Sequence, residues 1–170
     1  MLFYNQSNIL KMKKFLLVAV IALFSFNYAH SQEGQWKLGG SLSFPVSDLG
    51  NASNFGFQFN GSYLFNIEGN LEAGPMASLQ PYFGKEHVKG SWFLPIGGEA
   101  RYNLNDFFVG TDLGYGIGIA PSWNDGGFFY RPKVGYHIPA TQIATIVSYS
   151  GVSGKGRNYA AINLGVEFSL

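Results

Sequence analysis

The sequence predicts an all-β fold, an eight-stranded antiparallel up-and-down transmembrane β-barrel. Three observations predict it. First, the last eleven residues alternate: Ala160, Ile162, Leu164, Val166, Phe168 and Leu170 share one parity, and Ala161, Asn163, Gly165, Glu167 and Ser169 the other. Residues at i and i+2 share a face of a strand, so this segment has one apolar and one polar face. Second, the same alternation recurs upstream about every 10 to 20 residues, which is barrel or sandwich spacing. Third, charged residues make up only 12% of the chain, while aromatics reach 17% and glycine numbers 23. A soluble domain carries about 25% charged residues. That balance points away from water as the solvent around the outer face.

Residues 1–31 read as a signal peptide, and 32–170 as the barrel domain. Lys11, Lys13 and Lys14 form a basic start, and Phe15 to Phe26 is an apolar run. That run is too short to span a membrane as a helix. Ala29-His30-Ser31 supplies small residues at cleavage spacing, so the mature chain is expected to begin near Gln32, with Met12 a possible true start. Loss of those three lysines leaves eight Lys and Arg against ten Asp and Glu, a net charge of −2. A slightly acidic chain lacks the basic surface that nucleic-acid binding needs. The chain has no cysteine, which excludes disulfides, thiol catalysis and thiolate metal ligands.

Eight strands follow in order. The first, Trp36 to Val46, sets Trp36, Leu38, Leu42 and Phe44 against Lys37, Ser41 and Ser43. The second, Phe55 to Phe65, sets Phe55, Phe57, Phe59, Tyr63 and Phe65 against Gln58, Asn60 and Ser62. The third, Leu71 to Tyr82, opposes Leu71, Ala73, Ala77 and Leu79 to Glu72, Ser78 and Gln80. The fourth, Trp92 to Leu104, opposes Leu94, Ile96, Ala100, Tyr102 and Leu104 to Glu99, Arg101 and Asn103. The fifth, Phe107 to Ile119, faces Val109, Leu113, Tyr115, Ile117 and Ile119 away from Asp112 and a ladder of Gly110, Gly114, Gly116 and Gly118. The sixth, Phe128 to Ile138, opposes Tyr130, Val134, Tyr136 and Ile138 to Arg131, Lys133 and His137. The seventh, Gln142 to Ser150, is marked by Ile143, Val147 and Tyr149, and the alternating segment that closes the sequence is the eighth.

The connections alternate in length. Asn66 to Asn70, Asn105-Asp106 and Pro139 to Thr141 are short; Ser47 to Asn54, Lys85 to Ser91, Ala120 to Gly127 and Val152 to Arg157 are longer. Outer-membrane barrels have short periplasmic turns and longer outer loops. Pro75 and Pro132 fall inside strands, where a missing N–H interrupts a ladder, so bulges or shifted boundaries are expected there.

Alternation alone does not say which face is inside. Eight charges, Lys37, Glu72, Glu99, Arg101, Asp112, Arg131, Lys133 and Glu167, all fall on the polar face, and none on the apolar one. They balance, four of each sign, as an enclosed lumen requires, because an unpaired buried ion is costly. Glycines beside large residues suit a narrow lumen filled by side chains. Aromatics gather near both strand ends of the apolar face: Trp36, Tyr63, Phe65, Tyr102, Phe107, Tyr136 and Phe168 at one, Phe44, Phe55, Phe128, Tyr130 and Tyr149 at the other. Two such belts match the two interfaces of a membrane.

With its signal segment, the run Leu94-Pro95-Ile96-Gly97-Gly98-Glu99-Ala100-Arg101-Tyr102-Asn103-Leu104, the following Val109-Gly110-Thr111-Asp112-Leu113-Gly114-Tyr115-Gly116, and the terminal Phe168-Ser169-Leu170, the chain resembles the small eight-stranded outer-membrane β-barrels, the OmpA/OmpX-like barrels and their relatives. The resemblance covers essentially the whole mature chain. It implies an outer-membrane location, contact with membrane lipid and lipopolysaccharide, and insertion by the outer-membrane assembly machinery. The family's terminal strand usually ends on an aromatic residue that this machinery reads; here Leu170 takes that place and Phe168 is the nearest aromatic.

The interior charges are the one constellation with chemistry. Glu99 is expected beside Asp112 across the Asn105-Asp106 turn, with Arg101 diagonal to it. Across the next loop, Asp112 and Lys133 can be neighbours in register. Lys37 and Glu167 lie on the two strands that close the barrel. A Glu99/Arg101/Asp112/Arg131/Lys133 network is expected to plug the lumen, as a core that satisfies its own charges or as a polar gate.

Other motifs carry less. His30 belongs to the signal, and His87 and His137 fall at opposite ends of the barrel, so no metal or cofactor site is expected. Ser91 lies near His87 and Glu86, but no spacing compels a triad. Gly114-Tyr115-Gly116-Ile117-Gly118 lacks the helix that a phosphate loop requires. Asn124-Asp125-Gly126-Gly127 is a turn signal. Lys85, Lys89, Lys155 and Arg157 can reach lipopolysaccharide phosphates or simply stay solvated.

The expected role is structural or interactive in the envelope, as a monomer and not an enzyme. The alternatives are a narrow channel or carrier for small solutes, a secreted soluble barrel that binds a hydrophobic ligand, and a lipid-modifying enzyme.

Overall fold

The computed structural model describes residues 34–48, 53–85, 90–122, 124–154 and 156–170. The signal segment, Glu86, His87, Lys89 and Lys155 lie outside the described residues. Eight strands form where the sequence alternates: β1 (Gly34–Val46), β2 (Ser53–Glu68), β3 (Leu71–Gly84), β4 (Ser91–Leu104), β5 (Phe107–Ala120), β6 (Gly127–His137), β7 (Ile143–Gly154) and β8 (Arg157–Ser169). Each pairs antiparallel with the next, and β8 pairs with β1, so the sheet closes. The closing register runs through Leu38↔Phe168 and Leu42↔Leu164. A closed sheet leaves no edge with unpaired N–H and C=O groups.

The pleat sends the apolar set outward. Trp36, Phe107, Leu113 and Val134 are each at least half exposed, at 54%, 59%, 50% and 53%. Soluble proteins rarely present a continuous apolar surface of this extent to water. Rings meet near both rims. Trp36 and Tyr63 lie 5.0 Å apart and Phe107 and Tyr136 4.8 Å apart at the turn end, and Phe55 and Phe83 stack at 5.2 Å at the loop end.

Three expectations about the strands need correction. Pro75 and Pro132 neither bulge nor end a strand. Ser62↔Met76 and Phe65↔Ala73 keep one register on either side of Pro75, and Tyr130↔Gly151 and Lys133↔Ser148 do so around Pro132. The ladder is interrupted on one side only: Pro75 still pairs with Gly98, and Pro132 with Thr111. A proline lacks one donor, so a one-sided gap is enough and the chain need not slip. The register shifts lie elsewhere, at Ser53/Phe55, Asn66/Glu68 and Trp92/Phe93.

The connection between β7 and β8 is short, not long. Val152↔Tyr159, Ser153↔Asn158 and Gly154↔Arg157 extend the hairpin. Gly156, with φ of +75°, makes the tight reversal that L side chains resist.

Candidate functional site

The inward face of β4, β5 and β6 carries the charges. Glu99 stands opposite Asp112 in register, but Asp112 stands opposite Arg131 and not, as expected, Lys133, which is in register with Gly110 two residues away. Two carboxylates directly opposite each other repel. Lys133 sits between them, its Nζ 2.7 Å from Glu99 Oε1 and 2.9 Å from Asp112 Oδ1. Arg131 forms an ion pair with Asp112. Arg101 Nε donates to Glu99 Oε1 at 2.9 Å, and its guanidinium also pairs with that carboxylate through Nη2.

Arg101 then reaches across the lumen. Its Nη1 and Nη2 donate to Glu167 Oε1 and Oε2 at 2.7 and 3.0 Å. β4 and β8 lie on opposite walls of the closed sheet. The layer holds three cations, Arg101, Arg131 and Lys133, and three carboxylates, Glu99, Asp112 and Glu167, all buried. Charges taken from water are tolerated when they are paired in this way. Pairwise-packed glycines make room for it: at Gly97 and Gly114, which face each other, a Cβ would strike the backbone carbonyls of Leu113 and Ile96.

Of the eight expected charges, the structure brings six together. Glu167 joins the set through Arg101. Lys37 and Glu72 stand apart, toward the turn end. Lys37 Nζ donates to Gln35 Oε1 at 2.6 Å and Ser169 Oγ at 2.9 Å. No ion pair among the described residues includes Lys37 or Glu72.

Apolar clusters lie on both sides of the ionic layer. Met76, Tyr82, Phe93, Phe129, Val152 and Ala161 pack together toward the loop end, with Tyr159 against them. Phe108, Ala144 and Ile146 pack toward the turn end. The Arg101 guanidinium carbon lies 4.2 Å from the centre of the Phe108 ring, a cation–π contact. A polar girdle completes the filling: Asn163 accepts from Ser43 Oγ at 2.6 Å and donates to Ser150 Oγ at 3.0 Å.

The inward rings were not singled out in the sequence, although it carries a signal for them. Trp92-Phe93, Phe107-Phe108 and Phe128-Phe129 are adjacent aromatic pairs. On a pleated strand, adjacent side chains must point to opposite faces. One ring of each pair therefore enters the lumen, and Phe93, Phe108 and Phe129 are fully buried.

The remaining candidates are scattered. Ser91 is buried where β4 begins, at the loop end. His137 ends β6 at the opposite rim, its ring 5.1 Å from that of Phe108. Among the described residues no group of three His, Cys, Asp or Glu side chains could hold a metal ion. The Asn124 side chain donates to the carbonyls of Trp92 and Ala120 and accepts from Gly126 N–H, which makes it a turn brace. Gly114 to Gly118 lie within β5.

No family model matches the sequence, and no curated protein matches it. Solved structures do match in fold. The outer membrane protein Ail of Yersinia pestis, determined in a phospholipid bilayer nanodisc, aligns with TM-score 0.56 at 14% identity, over 81% of this chain and 100% of that one. Neisserial surface protein A aligns with TM-score 0.52 at 14% identity, over 83% of this chain and 100% of that one. A de novo designed transmembrane β-barrel aligns with TM-score 0.53 at 11% identity, over 82% of this chain and 98% of that one. At these identities the likeness is one of fold, and that fold is the small, closed, eight-stranded antiparallel barrel of transmembrane proteins.

Proposed function

We propose that this chain is a monomeric outer-membrane barrel with a structural or surface-interaction role in the envelope and a lumen closed by its own side chains. Residues 1–31 direct export and are removed, and the outer-membrane assembly machinery inserts the strands. The outward apolar face meets the acyl chains of membrane lipid and lipopolysaccharide, and the loop charges Lys85, Lys89, Lys155 and Arg157 stay solvated. The role is not enzymatic.

The observation that carries the closed lumen is the bidentate Arg101–Glu167 pair, which joins opposite walls between two apolar clusters. A barrel of eight strands is just wide enough for side chains to fill. A solute would have to break a buried ion pair to pass.

Planar-bilayer recording tests this reading. The refolded chain, verified by heat-modifiable gel mobility, is expected to give no unitary conductance steps. Reproducible steps from folded protein would replace the closed barrel with a narrow channel. A mature chain that stays dissolved without detergent would overturn the membrane reading itself.

A further inference from the structure

The turn end of the barrel holds a cavity of about 310 Å³, lined in part by Lys37, Glu72, Asn103 and His137. Neither Phe108 nor any member of the ionic layer lines it. Its size is at the lower end of the roughly 300–1,000 Å³ typical of small-molecule sites.

Two opposite charges face this cavity without meeting. Lys37 is only 4% exposed, yet no carboxylate among the described residues lies within ion-pair distance of it. An ammonium has three N–H donors, and Gln35 and Ser169 take two of them. On the neighbouring strands β3 and β4, Glu72 Oε2 and Asn103 Oδ1 are buried acceptors with no hydrogen-bond partner. Glu72 pairs in register with Arg101, so Asn103 lies two residues beyond it on the same inward face. The cavity therefore has a donor pole at Lys37 and an acceptor pole at Glu72 and Asn103. A buried charge without a counter-charge is costly, and a molecule carrying both charges relieves both poles together.

We propose that this vestibule binds a small zwitterion, an amino-carboxylate. Its carboxylate takes the third N–H of Lys37, and its ammonium donates to Glu72 and Asn103. The site opens at the rim that carries the chain's last residue, which is the periplasmic rim if short turns face the periplasm. The proposal depends on this mouth alone and stands whether or not the lumen conducts.

The test uses the refolded mature chain in phospholipid nanodiscs, titrated with glycine, 4-aminobutyrate and 6-aminohexanoate, and with butyrate and butylamine as single-charge controls. Amide chemical shifts around Lys37 and Glu72 report binding. At least one zwitterion is expected to saturate the site about tenfold more tightly than either control, and K37M and E72Q are each expected to remove about that factor. Heat-modifiable mobility verifies that each variant is folded. If a variant does not fold, the comparison of zwitterion with controls on the unmodified chain decides alone. Butyrate binding as tightly as the best zwitterion, or no saturable binding by any of the three, overturns the proposal.

Discussion

Arg101 on β4 holds Glu167 on β8 through two hydrogen bonds of 2.7 and 3.0 Å, and so ties together two strands that never pair with each other. The same guanidinium holds Glu99 on its own strand. One side chain therefore serves two carboxylates, with Phe108 beneath its plane. The planar fork of arginine suits this role, and lysine, a single point charge, does not.

Breaking that tie is expected to be expensive. Arg101→Met leaves Glu167 buried without a partner, and Glu167→Gln leaves a cation short of one. Each is expected to lower stability by about 3–5 kcal/mol. Replacing both with apolar residues of similar volume is expected to cost much less than the sum of the two, since no charge is then stranded. Urea unfolding in lipid vesicles, followed by tryptophan fluorescence, gives all three values. Additive losses would show that the pair is not coupled.

The outward face makes a prediction of opposite character. Leu113 lies mid-strand on β5 and is half exposed. Against acyl chains, Leu113→Arg is expected to cost about 2–4 kcal/mol. On a surface facing water the same change would fall within about 0.5 kcal/mol. The same unfolding measurement separates the two, and a neutral result would place water, not lipid, around the barrel.

Much of this was legible because the strand period is two. Once the phase was set by Leu113, Val134 and Leu164, the inward position of Glu99, Arg101, Asp112, Arg131, Lys133 and Glu167 followed without any structure. The short Asn105-Asp106 turn placed Glu99 near Asp112, because short turns fix register locally. Across the longer β5–β6 loop the register is two residues off the expected one, with Arg131 opposite Asp112 and Lys133 reaching it diagonally. The Arg101–Glu167 bond was not legible in the same way. It crosses the lumen, and three strands lie between its two ends on either side, so their heights match only through the shear of the closed sheet. The proline positions misled for a related reason. Each was weighed as a local defect, whereas a barrel strand has two neighbours and can lose a bond to one while keeping its place against the other.

The β6–β7 turn stores a small strain. Ala140 has φ of +61°, the left-handed region in which a Cβ crowds the following carbonyl. Ala140→Gly removes that crowding, at the cost of a more flexible unfolded chain. The net expected gain is about 0.5–1 kcal/mol. An unchanged or lower unfolding midpoint would mean that the surrounding turn already accommodates the methyl group.

The adjacent pair Phe128 and Phe129 offers an internal control, since one residue number separates the outer surface from the lumen. Phe129 is fully buried in the loop-end cluster with Phe93, Tyr82 and Val152, while Phe128 is 54% exposed on the outer face. Phe129→Ala opens a cavity in a packed interior and is expected to cost about 3–5 kcal/mol. Phe128→Ala gives up a ring already half exposed on the outer face and opens no enclosed void. It is expected to cost clearly less, with the difference read from paired unfolding curves. The lumen responds differently as well: because Arg101 and Glu167 still span it below the apolar cluster, Phe129→Ala alone is expected to leave the barrel without conductance. Combining it with Arg101→Met removes both obstacles, and is the variant in which conductance steps are expected first.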